Sequence, residues 1–280
     1  MSCDALVFHG QPAVRLALPE GSACVVALHG AQLLSWTTAD RVERIYLSPA
    51  ARFDGRSAIR GGVPICWPQF NQRGPLPKHG FVRNIAWQLQ VAESGGPGDT
   101  IVLSLRETEV TRAIWPHAFG ARLTVTLAPR SLRVALLLDN TDSAPWSFAA
   151  ALHTYLRVDD IGAARLQGLQ GANRWDAVRD DRHVEMAPAL EFGAEFDSVY
   201  VAPAAPLRLV QPAGSLQIAQ SANCTETVVW NPGPLLSAKL DDLPDDGWRH
   251  MLCVEAARID EQVLLAPGAT WQGWQQLTVP

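Results

Sequence analysis

The chain has 280 residues, of which 48% are hydrophobic and 18% are charged, which is ordinary for a globular protein with a large core. Its formal net charge of -5 excludes a general attraction of the whole molecule to nucleic acid or to an anionic membrane. Five cysteines without a CxxC spacing disfavour a disulfide framework and a structural zinc site. We expect a cytoplasmic protein, because the N-terminal segment lacks a signal-peptide pattern and no apolar run is long enough to span a membrane.

Short apolar or alternating runs follow one another along the chain and predict strands, whereas helical periodicity is nearly absent. The predicted strands cover residues 14–18, 23–28, 32–36, 44–47, 87–92, 100–107, 119–127, 131–139, 146–158, 164–169, 198–201, 207–210, 216–220, 225–230, 251–257 and 271–279. The segment SGGPGD at 94–99 predicts a hairpin connection. Short helical turns are predicted at 111–115 and 237–240. The pattern indicates an all-β fold, a large antiparallel sandwich or barrel, formed by a single domain over residues 1–280.

The stretch at 57–83 interrupts this pattern with many glycines and prolines, so much of it cannot be ordinary helix or strand. It also contains Arg60, Arg73, Lys78, His79 and Arg83. Cationic side chains and a histidine on an irregular segment predict a binding-site loop held on a scaffold. The alternative is a long solvent-exposed connection, and the apolar residues within the stretch argue against disorder.

Two histidines stand out by their surroundings. His79 lies in KHGFVR at the end of this loop, and His153 lies inside the predicted strand AALHTYLRV. A histidine in a strand is more often a hydrogen-bonded structural residue than a catalyst, so the two positions by themselves leave both interpretations open.

Glu255 is the most informative acidic residue, because it lies in the apolar run MLCVEAA. A buried carboxylate must be paired or neutralised, and burial would raise its pKa toward the range of a general base. Strand alternation leaves a second interpretation, in which Glu255 lies on a solvated face.

Several common metal-binding, nucleotide-binding and hydrolase motifs are absent from the sequence. The sequence contains no HExxH or HxH metal pattern, no GxGxxG or P-loop and no GxSxG elbow, so metalloprotease, nucleotide-binding and α/β-hydrolase functions are not supported. Trp67 directly precedes Pro68, and Trp230 lies two residues before Pro232, and we expect each to wall a pocket or to stack on a sugar.

The sequence resembles the hexose-6-phosphate mutarotases (glucose-6-phosphate 1-epimerases), a branch of the aldose 1-epimerase superfamily. The matching segments are IRGGVPICWP at 59–68, HGFVR at 79–83, ALHTY at 151–155, WNP at 230–232 and CVEA at 253–256. They occur in family order and span most of the chain. The resemblance implies a galactose mutarotase-like β-supersandwich that interconverts the α and β anomers of a hexose 6-phosphate without a cofactor or a metal.

The resemblance also implies roles for individual residues. Glu255 is the general base for the anomeric hydroxyl, and His153 is the general acid for the ring oxygen. His79 hydrogen-bonds the sugar, and Asp197 in EFDSVY belongs to the substrate-binding set. The expected partner is a small sugar phosphate bound by a monomer.

A phosphate dianion on an acidic protein requires a local group of cations, and arginine forks suit phosphate oxygens. We therefore expect Arg60, Arg83 and the nearby Arg56 to bind the phosphate. Arg73 and Lys78 match nothing in the family pattern, and we expect them to be solvated. Two alternatives stay open: a mutarotase for unphosphorylated aldoses, and a non-catalytic sugar-binding or regulatory sandwich.

Overall fold

The computed structural model describes residues 2–93 and 99–280 and is built almost entirely from antiparallel strands. The strands are β1 (Ser2–Phe8), β2 (Gln11–Ala17), β3 (Ala23–Ala27), β4 (Leu33–Thr37), β5 (Ile65–Cys66), β6 (Gln88–Glu93), β7 (Asp99–Arg106), β8 (Phe119–Ala128), β9 (Ser131–Asn140), β10 (Trp146–Leu152), β11 (Tyr155–Arg157), β12 (Arg165–Gln167), β13 (Asn173–Asp176), β14 (Asp181–Val184), β15 (Ala189–Leu190), β16 (Phe196–Val201), β17 (Leu207–Gln211), β18 (Gly214–Gln220), β19 (Glu226–Asn231), β20 (Met251–Leu265) and β21 (Thr270–Thr278).

Helical structure is confined to short segments in the described parts of the chain. The two α-helices are α1 (Glu109–Ile114) and α2 (Gly233–Ser237), and single turns of 3-10 helix cover Val82–Asn84, Ile161–Ala163 and Gly247–His250. No described helix is both long enough and apolar enough to cross a membrane.

Within the described residues, the strands form three sheets. A four-stranded sheet has the order β1-β2-β3-β4, and a nine-stranded sheet has the order β15-β12-β17-β18-β21-β9-β8-β7-β6. The third sheet, called the central sheet below, has eight strands. Its order is β14-β13-β16-β19-β20-β10-β5, and β11 also pairs with β20. The large antiparallel sheets confirm the predicted all-β fold class.

The main core lies between sheets. Alternate residues of β8 are buried, and Leu123 and Val125 pack in one apolar cluster with Leu252 and Val254 of β20. Because strand neighbours point to opposite sides, residues 253 and 255 face away from that cluster. Cys253 packs in a separate, smaller cluster with Tyr155. The face of the central sheet that carries residues 253 and 255 is therefore not filled by the main core and can hold a site.

The structure differs from the predicted elements at several places. The run at 146–158 is divided into β10 and β11. The His153 amide donates to Pro64 O at 3.0 Å in the register of the β10–β5 pair, but Pro64 has no N–H with which to return a ladder bond. Residues 44–47 form isolated bridges rather than a strand. Helix α1 confirms the predicted turn at 111–115, whereas α2 begins and ends earlier than 237–240. The predicted hairpin connection covered residues 94–99, of which 94–98 lie outside the described residues.

Strands β1, β5, β13, β14 and β15 were not predicted. β1 and β14 are largely exposed and carry no apolar alternation, and β5 and β15 have only two residues each. Pairing with neighbouring strands, rather than local pattern, makes these segments extended.

The stretch at 57–83 contains β5 and one 3-10 turn, and is otherwise irregular. Residues 61–70 are buried without interruption, so the segment is not a solvent-exposed connection. Trp67 is fully buried among Trp115, Phe119 and Trp146, and the interpretation of Trp67 as a pocket wall was wrong.

Candidate active site

His153, in the two-residue gap between β10 and β11, lies opposite Glu255 of β20 in the central sheet. Strand β10 ends with Leu152 opposite Ala256 of β20, and β11 continues on β20 in the same register. The two residues between β10 and β11 therefore keep their place along β20, and His153 falls beside Glu255. His153 Nε2 lies 3.3 Å from Glu255 Oε1.

Asp197 and Trp230 belong to the same face of the sheet. Asp197 of β16 pairs with Trp230 of β19, one row away from the row that contains Glu255 and its partner Val228. Residues two apart on a strand share a face, so the indole, the two carboxylates and His153 all face one side.

A cavity of about 310 Å³ lies over this face, which is within the size range of small-ligand sites. Its walls include the aromatic side chains of Phe70, Trp175 and Trp230. The charged and titratable side chains that line it are Arg60, Arg73, Lys78, His79, His153, Glu195, Asp197 and Glu255. The expected position of Trp230 in a pocket wall is thus observed.

His79 is held by the irregular loop in a left-handed conformation with φ of 64°, followed by Gly80 with φ of 73°. A Cβ atom on Gly80 would lie 2.0 Å from Trp67 O, so only glycine permits this close approach. The His79 amide donates to Asn71 O at 3.0 Å, and His79 Nδ1 accepts the Asn71 amide at 3.2 Å. The loop therefore fixes both the position and the orientation of the imidazole.

The hydrogen bond at Nδ1 also determines the tautomer of His79. An Nδ1 atom that accepts a hydrogen bond carries no proton, so the proton of the neutral ring is on Nε2. Burial, followed by the nearby His153 and cationic side chains, holds the pKa of His79 far below its usual range. His79 is thus a neutral hydrogen-bond donor whose ring lies 5.5 Å from that of His153.

His153 stacks on Tyr155, with ring centroids 4.9 Å apart, and its Nδ1 has no hydrogen-bond partner among the described residues. Burial lowers the pKa of His153 to about 3, and the charges of Arg83 and Arg60 act in the same direction. The shift favours the neutral imidazole.

Glu255 is fully buried, and neither carboxylate oxygen has a hydrogen-bond partner in the described parts of the chain. Its 3.3 Å contact with His153 is a close approach of the two groups without hydrogen-bond geometry. Burial and the neighbouring Asp197 raise the pKa of Glu255 well above its usual value. Together with the lowered pKa of His153, this shift favours a neutral pair that holds one proton.

Asp197 lines the cavity as a second carboxyl group. Burial, followed by the charge of Glu195, raises the pKa of Asp197 to about 6, while Arg73 and Lys78 oppose the shift. Asp197 is therefore an oxygen acceptor within the cavity that titrates near neutral pH.

Arg60 is positioned by two contacts. Its Nε donates to Asp242 Oδ1 at 3.0 Å, and its Nη1 donates to Tyr155 Oη at 3.0 Å. Because Tyr155 stacks on His153, these contacts connect the cationic wall of the cavity to the acid-base pair.

Arg73 and Lys78 also line the cavity, a position that the sequence did not predict, and Lys78 is exposed, as expected for a solvated side chain. The Arg73 guanidinium lies 4.5 Å from the centroid of the Trp175 ring, and its Nη1 is 3.3 Å from Asp260 Oδ1. Lys78 forms no ion pair with any described residue. The available signal in the sequence was their location in the loop already singled out, where Lys78 directly precedes His79.

The other two predicted arginines lie outside the cavity lining. Arg83 donates to Lys78 O at 3.0 Å, and its charge still acts on the pKa values of His79 and His153. Arg56 is exposed, and its backbone oxygen accepts a hydrogen bond from Asn84 Nδ2. The structure therefore brings together five of the seven predicted site residues and leaves Arg56 and Arg83 off the wall.

Comparison with known proteins assigns the chain to a family. The family model for aldose 1-epimerase matches residues 12–278. The chain belongs to the aldose 1-epimerase family. This aldose 1-epimerase family member is 34% identical over 258 residues to a protein of Cenchrus ciliaris named "Putative glucose-6-phosphate 1-epimerase", covering 89% of this chain and 78% of the relative. An Escherichia coli relative of the same name is 36% identical over 240 residues, covering 84% and 79% of the two chains.

Solved structures support the assignment of this family member. The "putative mutarotase (YeaD)" of Salmonella typhimurium superposes with a TM-score of 0.91 at 28% identity and covers 99% of this chain and 93% of its own. A galactose mutarotase-related enzyme of Lactobacillus acidophilus shares the fold alone, with a TM-score of 0.75 at 14% identity and coverage of 94% and 96%.

One group of side chains in this epimerase family member has the composition of a metal site. His153, Cys253 and Glu255 are all buried, and one donor atom from each lies within 4.8 Å of the others. In the described residues, no other group of three His, Cys, Asp or Glu side chains is this close.

Proposed function

We propose that the chain interconverts the α and β anomers of a hexose 6-phosphate, with glucose 6-phosphate as the substrate. One observation carries the proposal: a buried imidazole and a buried carboxylate 3.3 Å apart form the floor of a cavity whose walls contain Arg60, Arg73 and Lys78. The names of the relatives in Cenchrus ciliaris and Escherichia coli support the choice of sugar.

The reaction requires one proton to leave the anomeric hydroxyl and one to reach the ring oxygen. Glu255 accepts the proton of the anomeric hydroxyl while the bond between C1 and the ring oxygen breaks. His153 Nε2 donates its proton to that oxygen, which gives an open-chain aldehyde. Rotation about C1–C2 and reversal of both transfers produce the other anomer, so protons and electrons balance without a co-reactant.

The pair starts the reaction with the correct number of protons. The pKa shifts favour a neutral imidazole beside a protonated carboxyl group, which together hold one proton. In the reactive form, His153 is an imidazolium and Glu255 is a carboxylate. The same single proton therefore lies on His153 instead of Glu255. Transfer of that proton from Glu255 to His153 interconverts the two forms once a small side-chain movement aligns the 3.3 Å contact as a hydrogen bond. A bound phosphate dianion favours the imidazolium through its charge.

His79 and Asp197 fit complementary roles toward the sugar hydroxyls. The Nε2–H of neutral His79 donates, and the carboxylate of Asp197 accepts. Two such groups on fixed elements orient the ring so that its anomeric end meets His153 and Glu255.

The cations of the cavity wall supply the phosphate site. Arg60 and Arg73 are each held by a carboxylate, Asp242 or Asp260, which fixes the guanidinium in place. Lys78 carries a charge without an ion-pair partner among the described residues and is the cation most available to a ligand. An uncharged aldose has no group that requires these three side chains.

Exchange NMR on glucose 6-phosphate and on glucose tests the proposal, with the purified chain added to each sugar at equilibrium. We expect accelerated exchange of the anomeric signals, with a higher kcat/KM for the phosphorylated sugar. A preference for glucose would replace the proposal with a mutarotase for neutral aldoses. Binding of either sugar without acceleration of exchange would indicate a non-catalytic sugar-binding protein.

A further inference from the structure

A sulfur atom that the proposed reaction does not use lies beside the acid-base pair, behind the residues that line the cavity. Cys253 lies on β20, two residues from Glu255, and therefore shares the face of the strand from which the carboxylate projects. Its partner on β11 is Tyr155, whose ring stacks on His153. Cys253 is fully buried, so its thiol is not exposed at the protein surface.

The three side chains offer one nitrogen, one sulfur and one oxygen donor, all within 4.8 Å of one another. Two ligands of one zinc ion lie about 3 to 4 Å apart, given bond lengths of about 2.0–2.3 Å. The observed spread exceeds this separation by about 1 Å, which small side-chain rotations can remove. His153 and Glu255 line the cavity, so an ion held there has access to water or to a ligand from the cavity.

A second observation points to a cation at this position. Both oxygens of Glu255 are buried and lack hydrogen-bond partners in the part of the chain that the structure describes, and His153 Nδ1 is likewise unpartnered. A buried carboxylate without a partner is costly, and a bound cation removes that cost. The thiolate and imidazole donors select soft or borderline ions over Mg²⁺ and Ca²⁺.

We propose that His153, Cys253 and Glu255 form a binding site for a thiophilic divalent cation such as Zn²⁺, and that the bound ion inhibits the enzyme. Binding replaces the thiol proton of Cys253 and the carboxyl proton of Glu255 with the metal ion, and both protons are released to solvent. The ion uses the imidazole and the carboxylate that are required to transfer protons to and from the sugar. Inhibition rests on the proposed function, whereas binding of the ion does not.

Co²⁺ is a spectroscopic probe for the site, because thiolate coordination gives a sulfur-to-metal charge-transfer absorption in the near ultraviolet. We expect the purified protein to show this absorption on titration with Co²⁺, and Zn²⁺ to abolish it by displacement. Zn²⁺ is also expected to raise the melting temperature, because an ion that binds the folded state stabilises it. A wild-type cobalt complex without the thiolate absorption would overturn the proposal without any variant.

Cys253→Ser tests the sulfur ligand, and Cys224→Ser is the matched control. Cys224 is also a buried thiol, but it lies near Ser221 and Glu226 rather than beside His153 and Glu255. We expect Cys253→Ser to abolish the charge-transfer absorption and to weaken Zn²⁺ binding by at least about tenfold, while Cys224→Ser retains both. Equal Zn²⁺ affinity in the wild type and Cys253→Ser would reject the site.

Activity measurements separate this proposal from the proposed function. We expect micromolar or lower free Zn²⁺ to inhibit anomer exchange of glucose 6-phosphate in the wild type, and a chelator to restore it. Zn²⁺ binding through Cys253 in a protein that does not catalyse exchange would reject the proposed function and leave the metal site intact. Exchange that continues unchanged when the site is saturated with Zn²⁺ would reject the inhibition.

Discussion

His153 lies between β10 and β11, directly opposite Glu255 of β20, and its Nε2 atom is 3.3 Å from Glu255 Oε1. Both side chains are therefore set by strand register rather than by a flexible loop, which favours a fixed separation between acid and base. The interruption between β10 and β11 removes His153 from the regular ladder without changing that register. The pair is buried and incompletely hydrogen-bonded, as expected where a fold keeps polar groups for chemistry rather than for stability.

Lys78→Ala should weaken binding of glucose 6-phosphate by about 10- to 100-fold, because it removes a charged contact worth about 1.5–3 kcal/mol. Affinity for glucose should change little, since glucose has no phosphate. Titration calorimetry with both sugars measures the difference. Arg52→Ala is the control, because Arg52 is exposed and pairs with Asp241 at the surface.

An equal loss of affinity for both sugars in Lys78→Ala would contradict a role for Lys78 in phosphate binding. Arg56→Ala in the same assay tests the expectation drawn from the sequence. Because Arg56 is exposed and lies outside the cavity, we expect its variant to behave as Arg52→Ala does.

Asp197→Asn should alter how stability depends on pH. The folded-state pKa of Asp197 is raised to about 6 from an ordinary value of 3.8, so the folded state binds the proton more tightly than the unfolded state. The contribution of Asp197 to the free energy of unfolding is therefore fully present below pH 3.8 and is lost as pH rises through 6.

Urea unfolding of the wild type and Asp197→Asn at pH 4 and pH 7 measures this effect. We expect the variant to gain stability relative to the wild type between these pH values, by at most about 3 kcal/mol for a shift of about two pH units. Asp241→Asn, which replaces an exposed carboxylate, should show little such change. If Asp197→Asn and the wild type differ by the same free energy of unfolding at both pH values, the pKa of Asp197 is not raised by folding.

Gly80→Ala should destabilise the fold and displace His79. The new Cβ would meet Trp67 O, and a left-handed conformation adds about 1–2 kcal/mol, so we expect a total loss of about 2–5 kcal/mol. Gly268 has the same φ of 73°, but no atom lies within 4 Å of the place that an added Cβ would take, so Gly268→Ala should lose only about 1–2 kcal/mol. Denaturant melts measure the free energy of unfolding of the two variants. Equal losses would show that the contact with Trp67 O does not add to the cost of Gly80→Ala.

Much of the strand pattern and the acid-base pair could be predicted from the sequence. Buried strands such as β8 and β9 show apolar alternation, which is a local property. Glu255 was conspicuous for a related reason, because a single carboxylate in an apolar run requires a special environment. That His153 is its neighbour depends on strand pairing across the sheet, and only the family resemblance linked the two in sequence.

The cationic wall could not be predicted to the same extent. Arg56, Arg73 and Lys78 all lie on irregular backbone, where no repeating period fixes the direction of a side chain. The loop turns Arg73 and Lys78 to the cavity and leaves Arg56 at the surface. Trp67 and Trp230 both lie within two residues of a proline, yet tertiary packing buries the first and exposes the second to the cavity.

Glu255→Gln tests whether Glu255 transfers the proton of the anomeric hydroxyl. The amide keeps the shape of the side chain but cannot accept that proton, so we expect the exchange rate of glucose 6-phosphate anomers to fall about 100- to 10,000-fold. The affinity for the sugar phosphate, measured by calorimetry on the same sample, should remain within a few-fold of the wild-type value. An exchange rate equal to the wild-type value in a folded Glu255→Gln variant would show that Glu255 is not the base.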